Sequence, residues 1–354
     1  MDALIAIGSF LAVIIVLVMG HELGHFLTAK WRGVRVIEFG LFFPPRLFSI
    51  KRGDTIYSIN AIPLGGFVKL AGEEDPNVPG SLASKSIATR LLVLSAGSVV
   101  NLLLPVVFFA IAYMIPFQTV VGEVVVQDVL AGSPAGTAGI RAGDTIIAIN
   151  GKTLDNSGDV TRYIQLNLGN QTDLLVKHSD GTQEEVTLVP RWRRPEGEGA
   201  VGISVNMTDA SVVTRDYPFW RAIPMGVTES IDTFVLFKNG IILMIIGTEP
   251  AQFAGPVGIA QLTGEVARAG INPLLRFAAF LSMNLGIINI FPLPAFDGGR
   301  LAFVLLEWIR RGKRIPAKVE GIVHLVGFGL IILFFVAITY QDIVRIVTGG
   351  TLGG

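Results

Sequence analysis

The sequence predicts a polytopic α-helical membrane protein with about four transmembrane helices, a membrane-associated β-hairpin or small sheet, and one inserted extracytoplasmic α/β domain. Three observations carry this expectation. Of the 354 residues, 51% are hydrophobic and 16% charged, which is too apolar for an ordinary soluble protein. The apolar residues gather in runs close to the roughly 20 residues that a helix needs to cross a bilayer. Between the second and third runs lies a long segment of strand-like patterns broken by Gly and Pro turns.

The first apolar run covers about residues 4–28. Met1-Asp2 lacks a basic leader and no small-residue cleavage site follows, so the run reads as a retained span rather than a signal peptide. The others cover about 89–115, 277–291 and 321–340. A fifth apolar patch, 240–247, is too short to cross alone and reads as an interfacial or core helix.

Basic residues orient the spans. Lys30, Arg32, Arg35, Arg46, Lys51, Arg52, Lys69 and Lys85 lie between the first two, and Arg300, Arg310, Arg311, Lys313, Arg314 and Lys318 between the last two. Short Lys- and Arg-rich loops stay in the cytoplasm. The N-terminus, the long 117–275 segment and the C-terminus are therefore expected outside. Within the first cytoplasmic connection, 34–43 and 55–59 read as strands, with turns at Pro44-Pro45 and Arg52-Gly53-Asp54. The expected organisation is 1–116 for the first two spans with that β region, 117–206 for the inserted domain, 207–275 for a linker with amphipathic helices, and 276–354 for the last two spans.

Composition also limits the chemistry. Net charge is zero, which argues against nucleic acid as a partner. There is no Cys, so thiolate catalysis and Cys-held metal are excluded. A metal must sit on His, Asp or Glu, and only four His occur: His21, His25, His178 and His324.

Two of them fall in His21-Glu22-Leu23-Gly24-His25. Imidazoles four residues apart share one helix face and can hold a single ion, with Glu22 beside them as general base. Ionisable groups inside an apolar helix are costly and mark a functional site. A hydrolytic zinc site needs a third protein ligand and an open fourth position. Asp297, Glu307 and His324 are the candidates. Asp297 is favoured because Asn289-Ile290-Phe291-Pro292-Leu293-Pro294-Ala295-Phe296-Asp297-Gly298-Gly299 falls where the third span reaches the cytoplasmic side, at the depth of the two His. Glu307 sits beside a basic cluster, and His324 reads as a packed helix residue.

Two resemblances follow from these residues. Ser133-Pro134-Ala135-Gly136-Thr137-Ala138-Gly139-Ile140-Arg141-Ala142-Gly143-Asp144 and the strands around it resemble the PDZ domain, in the permuted order of bacterial proteases, over about 117–206. That implies a groove where a peptide strand or C-terminus adds to the sheet. The H-E-x-x-H helix, this insert and the D-G-G segment together resemble the site-2 proteases, specifically the regulator-of-sigma-E protease group with one PDZ domain. The resemblance implies an intramembrane zinc metalloprotease that cuts single-pass membrane proteins in the lipid bilayer of a bacterial inner membrane. It implies Zn2+ on His21, His25 and Asp297, with Glu22 as base. It also implies substrate contacts at Gly65, Gly66 and Phe67 of the hairpin and at Asn289, Pro292 and Pro294. Two departures stand out: Ser98 occupies the place of a usual proline after Gly97, and only one PDZ-like unit is evident where some members have two. The rival expectations are a membrane-anchored zinc protease acting outside the bilayer, and a non-catalytic PDZ scaffold or metal transporter.

Overall fold

The computed structural model describes residues 2–73, 75–195, 197–250 and 253–348. The chain forms two compact units, Met1–Ala112 with Phe253–Gly354, and Tyr113–Gln252. The first unit opens with helix α1 (Asp2–Trp31), hairpin strands β1 (Val36–Arg52) and β2 (Thr55–Leu70), and helix α2 (Ile87–Met114). The second contains β3 (Phe117–Val129), α3 (Pro134–Thr137), β4 (Thr145–Ile149), β5 (Lys152–Thr153), α4 (Ser157–Leu166), β6 (Thr172–Lys177), β7 (Gln183–Leu188), β8 (Ile203–Arg215) and α5 (Phe219–Ile245). The chain then re-enters the first unit with α6 (Pro256–Ala269), α7 (Ile271–Ile290), α8 (Asp297–Ile309) and α9 (Ala317–Val347).

Among the described residues, four helices are long and apolar enough to cross a membrane: Leu4–Trp31, Ile87–Met114, Ile271–Ile290 and Ala317–Val347. The third begins earlier than its apolar run because Arg276 is accommodated inside the helix, its Nε donating to Asn272 Oδ1 at 3.0 Å. Much of α9 faces outward with large apolar side chains, including Leu325, Leu330, Leu333 and Val336. Such a surface is expected of lipid contact and not of water. The sequence places D-G-G in a late span. Here the third span stops at Ile290, and Asp297 begins a separate 13-residue helix. The prolines at 292 and 294 explain the break, since each removes a helical donor.

The hairpin is more elaborate than a single ribbon. Residues 36–41 of β1 pair with 66–70 on one side, and 38–41 pair with 56–59 on the other, while 46–52 pair back onto 55–60. The chain bends near Phe42, which has φ 67. A buried polar knot supports the bend: Glu38 accepts hydrogen bonds from Ser58 Oγ at 2.7 Å and Arg46 Nη2 at 2.8 Å. Beyond it, Leu47, Phe48, Ile50, Ile59 and Ile62 are exposed.

In the second unit the antiparallel sheet runs β7-β6-β4-β3-β8, with β5 beside β4. Ser133 caps α3 and Asn156 caps α4. Val124, Ile146, Ile149, Val160, Ile164, Leu174 and Val176 form its core. The short apolar patch expected at 240–247 is the end of a 27-residue helix. Glu229 and Asp232 interrupt the apolar run in sequence, yet both turn to one face, where Arg162 of α4 binds them. Asn239 donates to the Gln165 carbonyl at 2.7 Å and Leu243 joins the core. The other face exposes Phe219, Trp220, Ile223, Val227, Ile231 and Phe234.

In the first unit an ion-pair cluster fixes α8. Glu307 is buried and receives Arg90 of α2 at 2.6 Å and Arg314 at 3.2 Å. Arg314 also donates to the Ala83 carbonyl, and Arg300 pairs with Glu73 at 2.5 Å. Removing one partner of a buried pair leaves an uncompensated charge, at a cost of about 3–5 kcal/mol. Glu307→Ala is therefore expected to destabilise the detergent-solubilised chain by roughly that amount. Thermal unfolding checks this, and an unchanged midpoint would refute the clamp.

Candidate metal centre

Helix α1 carries His21 and His25 one turn apart, so both imidazoles project from one side. Their Nε2 atoms lie 3.1 Å apart. Asp297, in the first turn of α8, brings Oδ2 to 2.9 Å from His21 Nε2 and 3.0 Å from His25 Nε2. Both His are buried and Asp297 is partly so. Three lone-pair-bearing atoms this close repel one another unless a proton or a cation lies among them.

The surroundings favour a cation. His25 Nδ1 is 2.8 Å from the Val93 carbonyl, which can only accept, so Nδ1 carries a proton and the neutral ring offers its Nε2 lone pair to the cluster. Helix α2 passes directly behind the cluster. A Cβ on Gly97 would lie 2.4 Å from His25 Nε2 and 2.6 Å from His21 Nε2. One on Gly24 would lie 2.6 Å from the Ala96 carbonyl, so α1 and α2 meet at backbone distance. Two imidazoles and a carboxylate form a donor set suited to a hydrolytic divalent ion with one position left open. The chain thus has the ligands and the space that such an ion needs.

The two other candidates for a third ligand are engaged elsewhere. Glu307 belongs to the arginine cluster described above. His324 Nδ1 accepts from the Ala295 N–H at 2.9 Å and so braces the 291–296 loop. That loop folds tightly onto the start of α8: a Cβ on Gly298 would fall 1.8 Å from the Phe291 carbonyl oxygen, so only glycine fits. His178 lies in the second unit between Asp144 and Glu184.

Glu22 faces the hairpin, its Cγ 3.5 Å from where a Cβ on Gly66 would lie. Gly65 and Gly66 run beside α1, their neighbours being Val18 for the first and Met19 and Glu22 for the second. Phe67 stacks on Phe43, with ring centroids 6.1 Å apart. Asn289 sits half-buried in the last turn of α7, while Pro292 and Pro294 lie in the loop beyond it. In sequence Gly97 and Asn101 have the one-turn spacing of close helix packing. The structure adds that Asn101, wholly buried, places its amide 3.3 Å from His21 Nδ1. Ser98 is also wholly buried, and its backbone carbonyl lies against Gly286 of α7.

Gly97→Ala puts a methyl group where the two Nε2 atoms converge. Such a variant is expected to keep its helices and lose bound metal, from near one equivalent to near none. Elemental analysis of the purified chain checks this, and a fully loaded variant would contradict the site.

A model of Peptidase family M50 matches residues 9–334. A relative in Clostridium acetobutylicum, whose name carries the words zinc metalloprotease, is 35% identical over 331 residues, covering 93% of this chain and 94% of that one. Zinc metalloprotease RasP of Geobacillus kaustophilus is 30% identical over 425 residues, covering 97% of this chain and 98% of that one. A solved PDZ domain, from the SdrC-like protein of Listeria innocua, is 25% identical and covers 24% of this chain and 96% of that one, with a TM-score of 0.22. The chain belongs to peptidase family M50, the site-2 proteases, and is a multi-pass membrane zinc metalloendopeptidase.

Proposed function

We propose that this protease cleaves single-pass membrane proteins within or near their transmembrane segment, after another protease has trimmed them. One observation carries the reading: His21 and His25, two of the three clustered residues, lie on a helix that is itself long and apolar enough to span a bilayer, and Asp297 of α8 reaches them there. A zinc protease acting on soluble chains gains nothing from burying its ligands at such a depth, where each ionisable group is costly.

His21, His25 and Asp297 would hold the zinc, which when bound would supply Lewis-acid chemistry toward the scissile carbonyl and a water. Glu22, next to the first ligand in sequence, takes the proton from the attacking water and delivers it to the leaving amide nitrogen. Its side chain packs beside Gly66, which puts the base next to the hairpin. A helical substrate hides its amides, so it must unwind to present the bond. Among the described residues the 66–70 segment pairs only with β1, so its other edge, next to Glu22, suits an extended substrate. Gly65, Gly66 and Phe67 line that edge, and the Asn289, Pro292 and Pro294 segment offers backbone freed from helical bonding on the α8 side.

The charge pattern of the loops supports a bacterial inner membrane location with the N-terminus, the PDZ-like domain and the C-terminus extracytoplasmic. The exposed apolar face of α5 suits a membrane interface. The PDZ-like domain, with β8 at the sheet edge, offers a place for a peptide strand or C-terminus. It also excludes substrates whose outer domain is still bulky.

Glu22→Gln is expected to keep zinc and to lower cleavage of a tagged single-span substrate by about a hundredfold or more. Full activity in that variant would remove Glu22 from the mechanism. Mapping the cut in the wild-type reaction tests location: a scissile bond inside the span supports the proposal. One confined to an exposed juxtamembrane segment supports a membrane-anchored protease working outside the bilayer.

A further inference from the structure

We infer that Asn101 is a positioning residue that fixes the tautomer of His21 by accepting a hydrogen bond from its Nδ1–H. The inference rests on the reading of His21, His25 and Asp297 as the zinc ligands and concerns how α2 prepares one of them.

The two imidazoles are prepared differently. His25 needs only a backbone acceptor, the Val93 carbonyl, at 2.8 Å. His21 has no backbone acceptor at its Nδ1, and the group facing it is the side-chain amide of Asn101, at 3.3 Å. Asn101 is fully buried. Its own backbone carbonyl is held by Ser282 Oγ of α7 at 2.8 Å, so the residue is gripped between two helices. As placed, the amide nitrogen faces His21, and Oδ1 is left buried without a partner. The two ends of an Asn amide are alike in shape, and their assignment follows the hydrogen-bond network.

The chemistry of the ligand decides which end belongs there. An imidazole that offers its Nε2 lone pair to an ion carries its proton on Nδ1. A group facing that proton must be an acceptor, and Oδ1 is the acceptor that Asn101 has. With the amide turned, Oδ1 holds the Nδ1–H, and Nε2 is left bare beside Asp297 and His25. The same amide, unturned, suits an imidazole protonated on Nε2. Asn101 therefore serves the metal-loaded state only through its oxygen, and an apolar side chain of the same size cannot do so. Partners of this kind orient a metal-bound His, and their loss costs about tenfold to a hundredfold in metal affinity.

The test compares Asn101→Leu, Asn101→Ala and Asn101→Asp in the full chain in detergent. It reads zinc affinity by competition with a chelator and the unfolding midpoint of the metal-stripped protein. Asp keeps an acceptor of the same shape. The expected result is zinc affinity about tenfold to a hundredfold weaker in the Leu and Ala variants and within about threefold of wild type in the Asp variant. Metal-stripped midpoints should not follow that order. Equal losses in all three variants, or losses that track the midpoints, would reduce Asn101 to a packing residue. Wild-type affinity in the Leu or Ala variant would also overturn the inference. His21→Ala and Asp297→Ala separate the two levels: if they retain zinc, the ligand assignment itself fails. If they lose it while Asn101→Ala retains it, only the inference fails.

Discussion

Two imidazole nitrogens on a span-length helix and a carboxylate oxygen from α8, all about 3 Å apart, are the constraint on which the rest of the first unit depends. Nothing about such a cluster is favourable without a cation, so the backbone must hold it against repulsion and desolvation together. The means is close helix packing around small residues. Gly24 lets α1 reach the backbone of α2, Gly97 leaves open the volume at which the nitrogens point, and Gly298 lets the loop fold onto the first turn of α8. Ser282 binds the Asn101 carbonyl and so joins α7 to the same face of α2. A larger side chain at these contacts would move a ligand and not merely an outlying turn.

Much of this was readable from the residues, for a physical reason. The H-E-x-x-H spacing is local and governed by one helical period, so a single segment carries the information. The depth match of Asp297 follows from counting residues along a span. The four spans, the strands of the hairpin and the elements of the inserted domain are likewise segments with their own periodicity. What escaped was non-local. That 36–41 would be the middle strand of a small sheet, paired on both sides, depends on how the chain bends near Phe42. The full length of helix α5 was hidden because Glu229 and Asp232 break its apolar run, and they make sense only once Arg162 is known to face them. Asn101 looked like helix packing because its partner lies eighty residues away. Ser98, where the resembling family has proline, is packed against α7 in an unbroken α2, and nothing in its contacts assigns it a further role.

The break between α7 and α8 serves two ends. A continuous helix through 290–297 would satisfy its backbone internally and present Asp297 in mid-helix, where burial in an apolar layer favours the neutral acid. A neutral carboxyl is a poor ligand. Pro292 and Pro294 stop α7, and the loop, braced by His324, restarts the chain so that Asp297 falls in the first turn of α8. Helix N-termini favour negative charge through their unpaired N–H groups and the aligned peptide dipoles. Asp297, the candidate third ligand, thus sits where a helix start favours a carboxylate, facing His21 and His25. The arginines of this region are used instead on Glu307 and Glu73, where they hold α8 at its depth. The separation is functional: a guanidinium beside Asp297 would compete with the metal for the carboxylate, whereas one further along α8 fixes the helix and leaves the ligand available.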